Sequence, residues 1–224
     1  MYKSGFVWSE VGINVRGGRT IEFKKNYRNT VHIAKAALSL LNNEKDKSEF
    51  TTVETALSGG EKPKYGVFQS VSDQYQFLLT ELNRLKSEKK LASTVVLHRS
   101  WQGVKTIVQF CQQNNLQFQQ IKSNSKIDYN SDAVKICTMS SIKGLEFNNV
   151  IILDLNEDII PSPNGFADDT DEFHISTERR LLYTCMTRAR NKLYLLSSGK
   201  QSRYMDEIDK TLLDRVQPTP NINE

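Results

Sequence analysis

Long apolar runs are absent from this sequence of 224 residues. No segment approaches the ~18 consecutive apolar residues that a membrane-spanning helix needs, and the first residues lack the apolar core of a signal peptide. Cysteine is scarce, with three residues far apart in the chain: Cys111, Cys137 and Cys185. Their odd number and wide spacing favour reduced thiols over a disulfide framework. We therefore expect a cytoplasmic protein without membrane contact.

A strong excess of charge is also missing. The 30 Lys and Arg residues nearly balance the 26 Asp and Glu residues, which leaves a net charge of +4. Such a balance argues only weakly for nucleic-acid binding, so that inference requires particular basic residues in particular places. An apolar content of 38% excludes a disordered chain and is enough, at this length, to bury a core.

Several catalytic motifs do not occur. The only Gly-Lys pair, Gly199-Lys200, has neither the first glycine nor the hydroxyl residue of a phosphate-binding P-loop. The three histidines lack the spacing of metal ligands, so we predict no metal site. The acidic run Asp168–Glu172 is more typical of a solvated loop than of a cation site.

Strands and helices are predicted to alternate along the chain. Two continuous apolar strands, Val134–Thr138 and Val150–Leu153, are typical of a parallel sheet covered on both faces. The alternation predicts an α/β fold in layers, with ligands at the carboxyl ends of the strands. We further predict the following elements: a helix from about Asn29 with Thr30 as its N-cap, a loop over 42–64, strands Tyr65–Gln69, Thr94–Leu97, Phe118–Ile121 and Lys192–Leu196, and helices Val71–Lys86, Val104–Gln113, Ser176–Arg190 and Met205–Val216.

One candidate segment is Asn26–Thr30, at the opening of a helix. A Tyr–Arg pair before a helix N-terminus offers an aromatic face and a planar cation where anions are favoured. Taken alone, these five residues are better explained by an aromatic packed on the sheet edge with an exposed arginine.

A second segment, Val134–Phe147, carries small hydroxyl residues at the end of a buried strand, followed by Lys-Gly and Glu. Backbone N–H groups, hydroxyls and a cation placed there could cradle a phosphate. Strand packing explains the apolar residues of this segment but not its polar ones.

The third segment, Glu178–Arg190, holds four arginines, and helical spacing predicts that Arg180, Thr184 and Arg188 share a face. These arginines could form a solvated face. Alternatively, a guanidinium at the helix end could reach across a cleft to a polyphosphate and neutralise charge in the transition state.

In this order, the three segments resemble motifs IV, V and VI in the second motor domain of UvrD/Rep-type superfamily-one helicases. The resemblance spans most of residues 1–200, and Tyr2–Trp8 resembles the stretch that follows motif III. It implies a RecA-like fold of the P-loop-NTPase type, in three layers with a mainly parallel sheet and no P-loop of its own. It also implies a linker over 1–25, the second motor domain over 26–216 and a disordered tail over 217–224. We therefore expect a C-terminal fragment that lacks the first motor domain and the large accessory insertion.

For the nucleotide, the resemblance implies that Tyr27 stacks on the adenine and that Arg28 and Arg188 contact the γ-phosphate as the catalytic residues. Glu146 would bond the ribose, and Gly144 would lie close to the nucleotide. The implied cofactor is ATP, with Mg²⁺ held mainly by the first motor domain.

For nucleic acid, the resemblance implies that Thr138, Ser140 and Ser141 hold the backbone of single-stranded DNA, with Arg99 near the strand. Ser140 stands where the family commonly has histidine. The implied partners are single-stranded DNA and the N-terminal motor domain of the same protein, in a helicase or translocase that participates in DNA repair.

A non-catalytic nucleic-acid-binding or regulatory module with the same fold is the alternative. It would bind single strands through phosphate contacts and stacking. The residues concerned would be the basic ones near aromatics at the start of the chain: Lys3, Arg16, Arg19, Lys24, Lys25, Phe6, Trp8 and Phe23. An independent hydrolase has no nucleophile and base constellation in the sequence to support it.

Overall fold

The computed structural model describes residues 25–44, 54–57, 59–122, 125–163 and 171–216. The first 24 residues and the tail from 217, for which we predict a linker and disorder, lie outside these ranges, as does most of the acidic run. In chain order the elements are β1 (Lys25–Thr30), α1 (Val31–Leu40), β2 (Glu54–Leu57), β3 (Lys64–Phe68), α2 (Val71–Ser87), β4 (Thr94–His98), α3 (Trp101–Gln113), β5 (Phe118–Gln120), β6 (Val134–Thr138), β7 (Phe147–Ile152), α4 (Glu172–Met186), β8 (Ala189–Ser198), α5 (Arg203–Glu207) and β9 (Asp214–Arg215).

Within the described residues, seven strands form one parallel sheet in the order β5-β6-β4-β7-β8-β3-β9. β1 and β2 pair separately, also in parallel. At the carboxyl end of the sheet His98 on β4 lies opposite Thr138 on β6, and at the amino end Phe147 on β7 lies opposite Ala189 on β8. The predicted α/β fold with a mainly parallel sheet is confirmed.

Helices cover both faces of this sheet, which explains the continuous apolar strands. Val95 and Leu97 of β4 pack into the core beneath α1 and α4, whereas Val96 between them packs into the core beneath α2 and α3. Successive side chains of a strand point to opposite faces, so a strand covered on both sides needs apolar residues at every position. All three cysteines are buried as free thiols, and burial raises the pKa of Cys111 and of Cys137 to about 12.

Three predicted elements differ in the structure. The predicted helix Met205–Val216 is wrong: α5 ends at Glu207, because the Asp209 carboxylate caps a short 3-10 turn through the Thr211 N–H at 2.9 Å. The chain then pairs as β9 along β3. Helix α4 ends at Met186 rather than Arg190, because β8 starts at Ala189 in register with Phe147. The predicted loop 42–64 contains strand β2, which pairs with β1.

A buried carboxylate joins three helices on the α1 face. Glu44, just beyond α1, has a side chain that is 3% exposed and pairs with both Arg179 and Arg180 of α4. It also accepts a hydrogen bond from Ser176 Oγ at 2.7 Å. Arg179 reaches onward to Glu207 of α5, with Nη2 donating to Oε1 at 2.8 Å. A carboxylate with this many charge-assisted donors contributes to holding α1, α4 and α5 together.

Candidate functional site

Two of the predicted site residues, 118 positions apart, contact each other. Arg28, near the end of β1, donates from Nε to Oε1 of Glu146, just before β7. Both side chains keep more than a third of their surface exposed, at 40% for Arg28 and 37% for Glu146. The structure thus brings the first and second candidate segments together at a solvent-accessible position.

The backbone around this pair is held by Asn29. This side chain is buried, and its Nδ2 donates to the carbonyl of Thr187 at 2.9 Å and to that of Ala189. The N–H of Phe147 donates to the carbonyl of Arg188 at 3.0 Å. The end of β1 and the starts of β7 and β8 therefore form one connected edge. Sequence reasoning missed Asn29, because nothing in the chain around it indicates a partner nearly 160 residues away.

Arg188 lies at the same edge, on the turn between α4 and β8. Its N–H donates to the carbonyl of Cys185 at 3.1 Å, and its side chain is partly buried. It is not on a helix face with Arg180 and Thr184, because α4 has already ended at Met186. The prediction of a shared face is therefore wrong for Arg188, although the turn fixes its position.

Arg28 and Arg188 both lie within electrostatic reach of the Tyr183 hydroxyl. Burial raises the pKa of the Tyr183 hydroxyl, and the positive charges of Arg28 and Arg188 oppose that shift. Two guanidinium groups, those of Arg28 and Arg188, therefore lie near Tyr183 at this edge. Guanidinium groups bind phosphate oxygens through paired N–H donors, so this arrangement is suited to a polyphosphate.

Gly144 has a conformational reason to be glycine. Lys143 (φ −57°, ψ 129°) and Gly144 (φ +82°) form the centre of a tight turn closed by the Leu145 N–H donating to the Ile142 carbonyl at 3.0 Å. This is a type II turn, whose third position needs a positive φ. Among the residues that the structure describes, and apart from the neighbours of Gly144 in the chain, no atom lies within 4 Å of a Cβ built at this position. The side chain of Tyr27 lies outside the described part of the molecule.

The predicted strand-binding residues lie at the opposite edge of the sheet. Thr138 ends β6 at its carboxyl end, and its Oγ1 lies 2.8 Å from Oγ of Ser141, while Ser140 is exposed. Because β6 and β7 are parallel, residues 139–146 must cross the α4 face from the carboxyl edge to the amino edge. Arg28, Glu146 and Arg188 lie instead at the amino ends of β7 and β8, and not at the carboxyl edge where the strand–helix alternation predicts ligands.

Arg99 forms a bidentate ion pair with Glu178 inside the domain. Its Nε and Nη2 donate to the two carboxylate oxygens of Glu178, each at 2.7 Å, and Nη2 also donates to Ser162 Oγ at 3.0 Å. The Glu178 side chain is 4% exposed. This bidentate pair joins the end of β4 to α4, so Arg99 holds the carboxyl edge together.

A buried histidine also joins two strands at the carboxyl edge. His98 Nε2 lies 3.2 Å from Asp154 Oδ2, and the Ser100 N–H donates to His98 Nδ1 at 2.9 Å. His98 therefore contacts Asp154 through one ring nitrogen and the Ser100 backbone through the other. Burial would raise the pKa of Asp154, but hydrogen bonds from His98 and Gln74 lower it overall. Ser100 Oγ accepts the Gly103 N–H at 3.1 Å as the cap of α3, which is a structural role.

Gly103→Ala should destabilise the domain by about 2 kcal/mol, although alanine normally favours a helix by about 1 kcal/mol. A Cβ at Gly103 would overlap the His98 ring, which Asp154 and Ser100 hold in place. Urea unfolding monitored by circular dichroism measures the change. Gln102→Ala, at the exposed neighbouring position, should stay within about 0.5 kcal/mol of the parent. A more stable Gly103→Ala protein would show that His98 is free to move.

Two further observations concern metals and membranes. Among the described residues, no group of three or more His, Cys, Asp or Glu side chains could hold a metal ion, and Asp171 serves as the N-cap of α4 by accepting the Phe173 N–H at 3.0 Å. No helix in the described ranges is long and apolar enough to span a bilayer.

The basic and aromatic residues behind the alternative nucleic-acid module lie outside the described residues, except for the backbone of Lys25.

Comparison with known families adds to this geometry. The family described as UvrD-like helicase C-terminal domain matches residues 21–126 and 110–200, which is well over half of the chain. The chain belongs to this family. The resemblance drawn from the three sequence segments is thereby confirmed.

Curated relatives of this UvrD-like C-terminal domain are ATP-dependent DNA helicases. The Rep helicase of Buchnera aphidicola subsp. Baizongia pistaciae is 32% identical over 130 residues, covering 53% of this chain and 18% of that protein. PcrA of Staphylococcus epidermidis is 33% identical over 94 residues, covering 37% and 13%. UvrD1 of Mycobacterium leprae is 33% identical over 96 residues, covering 38% and 12%. The chain therefore spans less than a fifth of the length of these relatives.

A solved structure shares the fold. The C-terminal domain of a possible DNA helicase from Lactobacillus plantarum WCFS1 superposes with a TM-score of 0.63 at 20% identity, over 86% of this chain and 99% of that one. At this identity the likeness supports the architecture alone.

Proposed function

We propose that this domain is the second motor domain of an ATP-dependent DNA helicase or translocase, which completes an ATP site formed with an N-terminal motor domain. The observation that carries the proposal is the convergence of Arg28, Glu146 and Arg188 at one edge of the sheet. Membership of the UvrD-like family and the Rep and PcrA relatives support it.

The edge that carries Arg28, Glu146 and Arg188 is the nucleotide edge, where the two arginines contact the γ-phosphate and neutralise charge in the transition state. Glu146 bonds the ribose, Tyr27 stacks on the adenine, and the open turn at Gly144 lets the nucleotide approach the backbone. The bound nucleotide supplies the phosphoanhydride bond that is hydrolysed. Mg²⁺ would be held mainly by the N-terminal domain.

Nucleotide binding first breaks the ion pair between Arg28 and Glu146. Without nucleotide the two side chains neutralise each other. In the complex, the phosphate competes for the Arg28 guanidinium, and Glu146 becomes available to the ribose hydroxyls. Arg28 therefore exchanges one anion for another, while the Glu146 carboxylate exchanges the guanidinium for the ribose hydroxyl donors.

At the carboxyl edge, Thr138, Ser140 and Ser141 hold the backbone of single-stranded DNA through hydroxyl contacts. The bidentate bond from Arg99 to Glu178 stabilises this edge of the sheet, and the single-stranded DNA passes beside Arg99. Residues 139–146 link the two edges directly, since they run from Thr138 at the end of β6 to Phe147 at the start of β7.

The 224-residue chain alone is expected to hydrolyse no ATP, because it contains no P-loop to hold the β- and γ-phosphates. Phosphate release is measured with and without single-stranded DNA, and an Arg188→Ala preparation serves as the control for contaminating ATPases. Turnover that disappears in that control would contradict the proposal.

The decisive experiment uses the intact protein. ATPase activity and strand separation should both be present, both should require DNA, and both should be lost on substitution of Arg28 or Arg188. A protein without an upstream P-loop that still binds single strands would instead favour the non-catalytic nucleic-acid-binding module.

A further inference from the structure

An exposed aromatic ring lies beside the nucleotide edge and has no role in the function proposed above. Tyr129, on the loop between β5 and β6, is 48% exposed. Its ring centroid lies 6.1 Å from that of Phe147, at an interplanar angle of 41°. Phe147 directly follows Glu146, and its N–H is bonded to the Arg188 carbonyl. Tyr129 therefore belongs to the same edge as Arg28, Glu146 and Arg188.

The loop that carries Tyr129 is held on the β5 side. The Asp128 carboxylate accepts the N–H groups of Asn130 at 2.9 Å and Ser131 at 3.2 Å, which closes a turn around Tyr129. The Gln119 side chain bonds both ends of the preceding stretch, accepting from Asp128 N at 3.1 Å and donating to the Lys126 carbonyl at 2.9 Å.

The same loop is held on the β6 side by a buried lysine. Lys135 is fully buried, and its Nζ donates to the Ala133 carbonyl at 2.8 Å and to Ser131 Oγ at 3.3 Å. Burial lowers the pKa of this ammonium, and the charges of Asp128 and Asp132 oppose the shift. An aromatic side chain on a loop braced from both sides is preorganised, so a ligand would not need to order it.

The Tyr129 hydroxyl is within electrostatic reach of Glu146. Burial, and secondarily the Glu146 charge, raise the pKa of Tyr129. The hydroxyl therefore remains protonated at neutral pH and can donate a hydrogen bond. Stacking on an aromatic ring is suited to the base of a nucleotide and not to its phosphates, and the hydroxyl can donate to an oxygen of the adjoining ribose.

We infer that Tyr129 is a second aromatic contact for the base and ribose of the bound nucleotide, on the Glu146 side of the site. The inference rests on the proposed function, because it takes Glu146 as the ribose contact. It goes beyond that function by assigning recognition of the nucleoside to a residue outside the three motif segments.

The test compares ATP with inorganic tripolyphosphate, which carries the phosphates but no nucleoside. Affinities of the intact protein for ATP and for inorganic tripolyphosphate are measured by calorimetry, and KM and kcat for ATP by phosphate release. Tyr129→Ala should raise the Kd for ATP about 10-fold, as expected for loss of one stacking contact. It should leave the Kd for tripolyphosphate unchanged and kcat within about twofold. Tyr129→Phe, which keeps the ring face, should retain most of the affinity.

Trp101→Ala is the matched control, because Trp101 is 43% exposed but lies at the carboxyl edge. Its affinity for both ligands should equal that of the parent. An unchanged ATP affinity in Tyr129→Ala, or an equal loss for ATP and tripolyphosphate, would overturn the inference. Failure of the proposed function would look different: Arg28→Ala and Arg188→Ala would then leave the binding of both ligands and the turnover unaffected.

Discussion

Replacing Arg188 by alanine in the intact protein is expected to lower ATP turnover by about 10³-fold or more, with a much smaller loss of ATP affinity. A guanidinium that meets the γ-phosphate in the transition state contributes on the order of 10³–10⁵ in rate. The backbone of Arg188 is bonded on both sides, to Cys185 and to Phe147, so its position is set before nucleotide arrives. Steady-state phosphate release at saturating ATP and DNA measures turnover, and calorimetry measures affinity.

Arg190→Ala provides the control for charge and location. Arg190 lies two residues further along, at the start of β8, and is exposed. It should retain turnover within a fewfold of the parent. If Arg188→Ala kept its rate, or if Arg190→Ala lost as much, a site-specific role for Arg188 in the transition state would be wrong. Lysine at position 188 should rescue only part of the rate, because an ammonium lacks the planar fork of donors.

The bounds of an element could be predicted from the sequence where local pattern alone determines them. Val134–Thr138 is a strand with the predicted bounds, because a short run of mainly apolar, partly β-branched residues between polar segments favours a strand covered on both faces. The end of α4 was not predictable from local pattern. Its helical spacing continues to Arg190, and only the pairing of Ala189 with Phe147 across the sheet ends it earlier.

The candidate site residues could likewise be predicted from local motifs, whereas the long-range contacts around them could not. Arg28, Glu146 and Arg188 were identified from short motifs, and the structure places them at one edge. The bonds that fix their surroundings join residues that are distant in sequence, such as Asn29 to Thr187. A buried polar residue can be read from the sequence, but its hydrogen-bond partner cannot. That partner determines whether the side chain holds the site residues in place.

Substituting Glu44 by alanine should lower the free energy of unfolding by about 3 kcal/mol, the largest stability loss that we expect from a single carboxylate. Removal of one partner from a buried ion pair costs about 3–5 kcal/mol, because the remaining charge stays buried. Arg179 keeps its bonds to Glu207, which argues for the lower end of that range. Urea unfolding at pH 7 gives the value.

The loss should depend on pH in a defined direction. Burial would raise the pKa of Glu44, but the hydrogen bonds from Ser176, Arg179 and Arg180 outweigh it, so the folded pKa lies below its ordinary value. A depressed carboxylate pKa contributes stability that is fully present above the unfolded value, about 4.3. That contribution is lost as the pH falls through the folded pKa. The difference between the parent and Glu44→Ala should therefore be constant from pH 7 to about pH 5 and shrink below about pH 4.

Glu61→Ala separates the buried network from charge as such. Glu61 also pairs with two basic side chains, Lys64 and Lys192, but its own side chain is 50% exposed. Exposed ion pairs contribute about 0–1 kcal/mol, so this variant should unfold close to the parent. Equal losses for the two variants would mean that net charge, rather than the bonds from α4 to Glu44, accounts for the effect. A loss for Glu44→Ala alone would establish that α1, α4 and α5 are held together through this carboxylate.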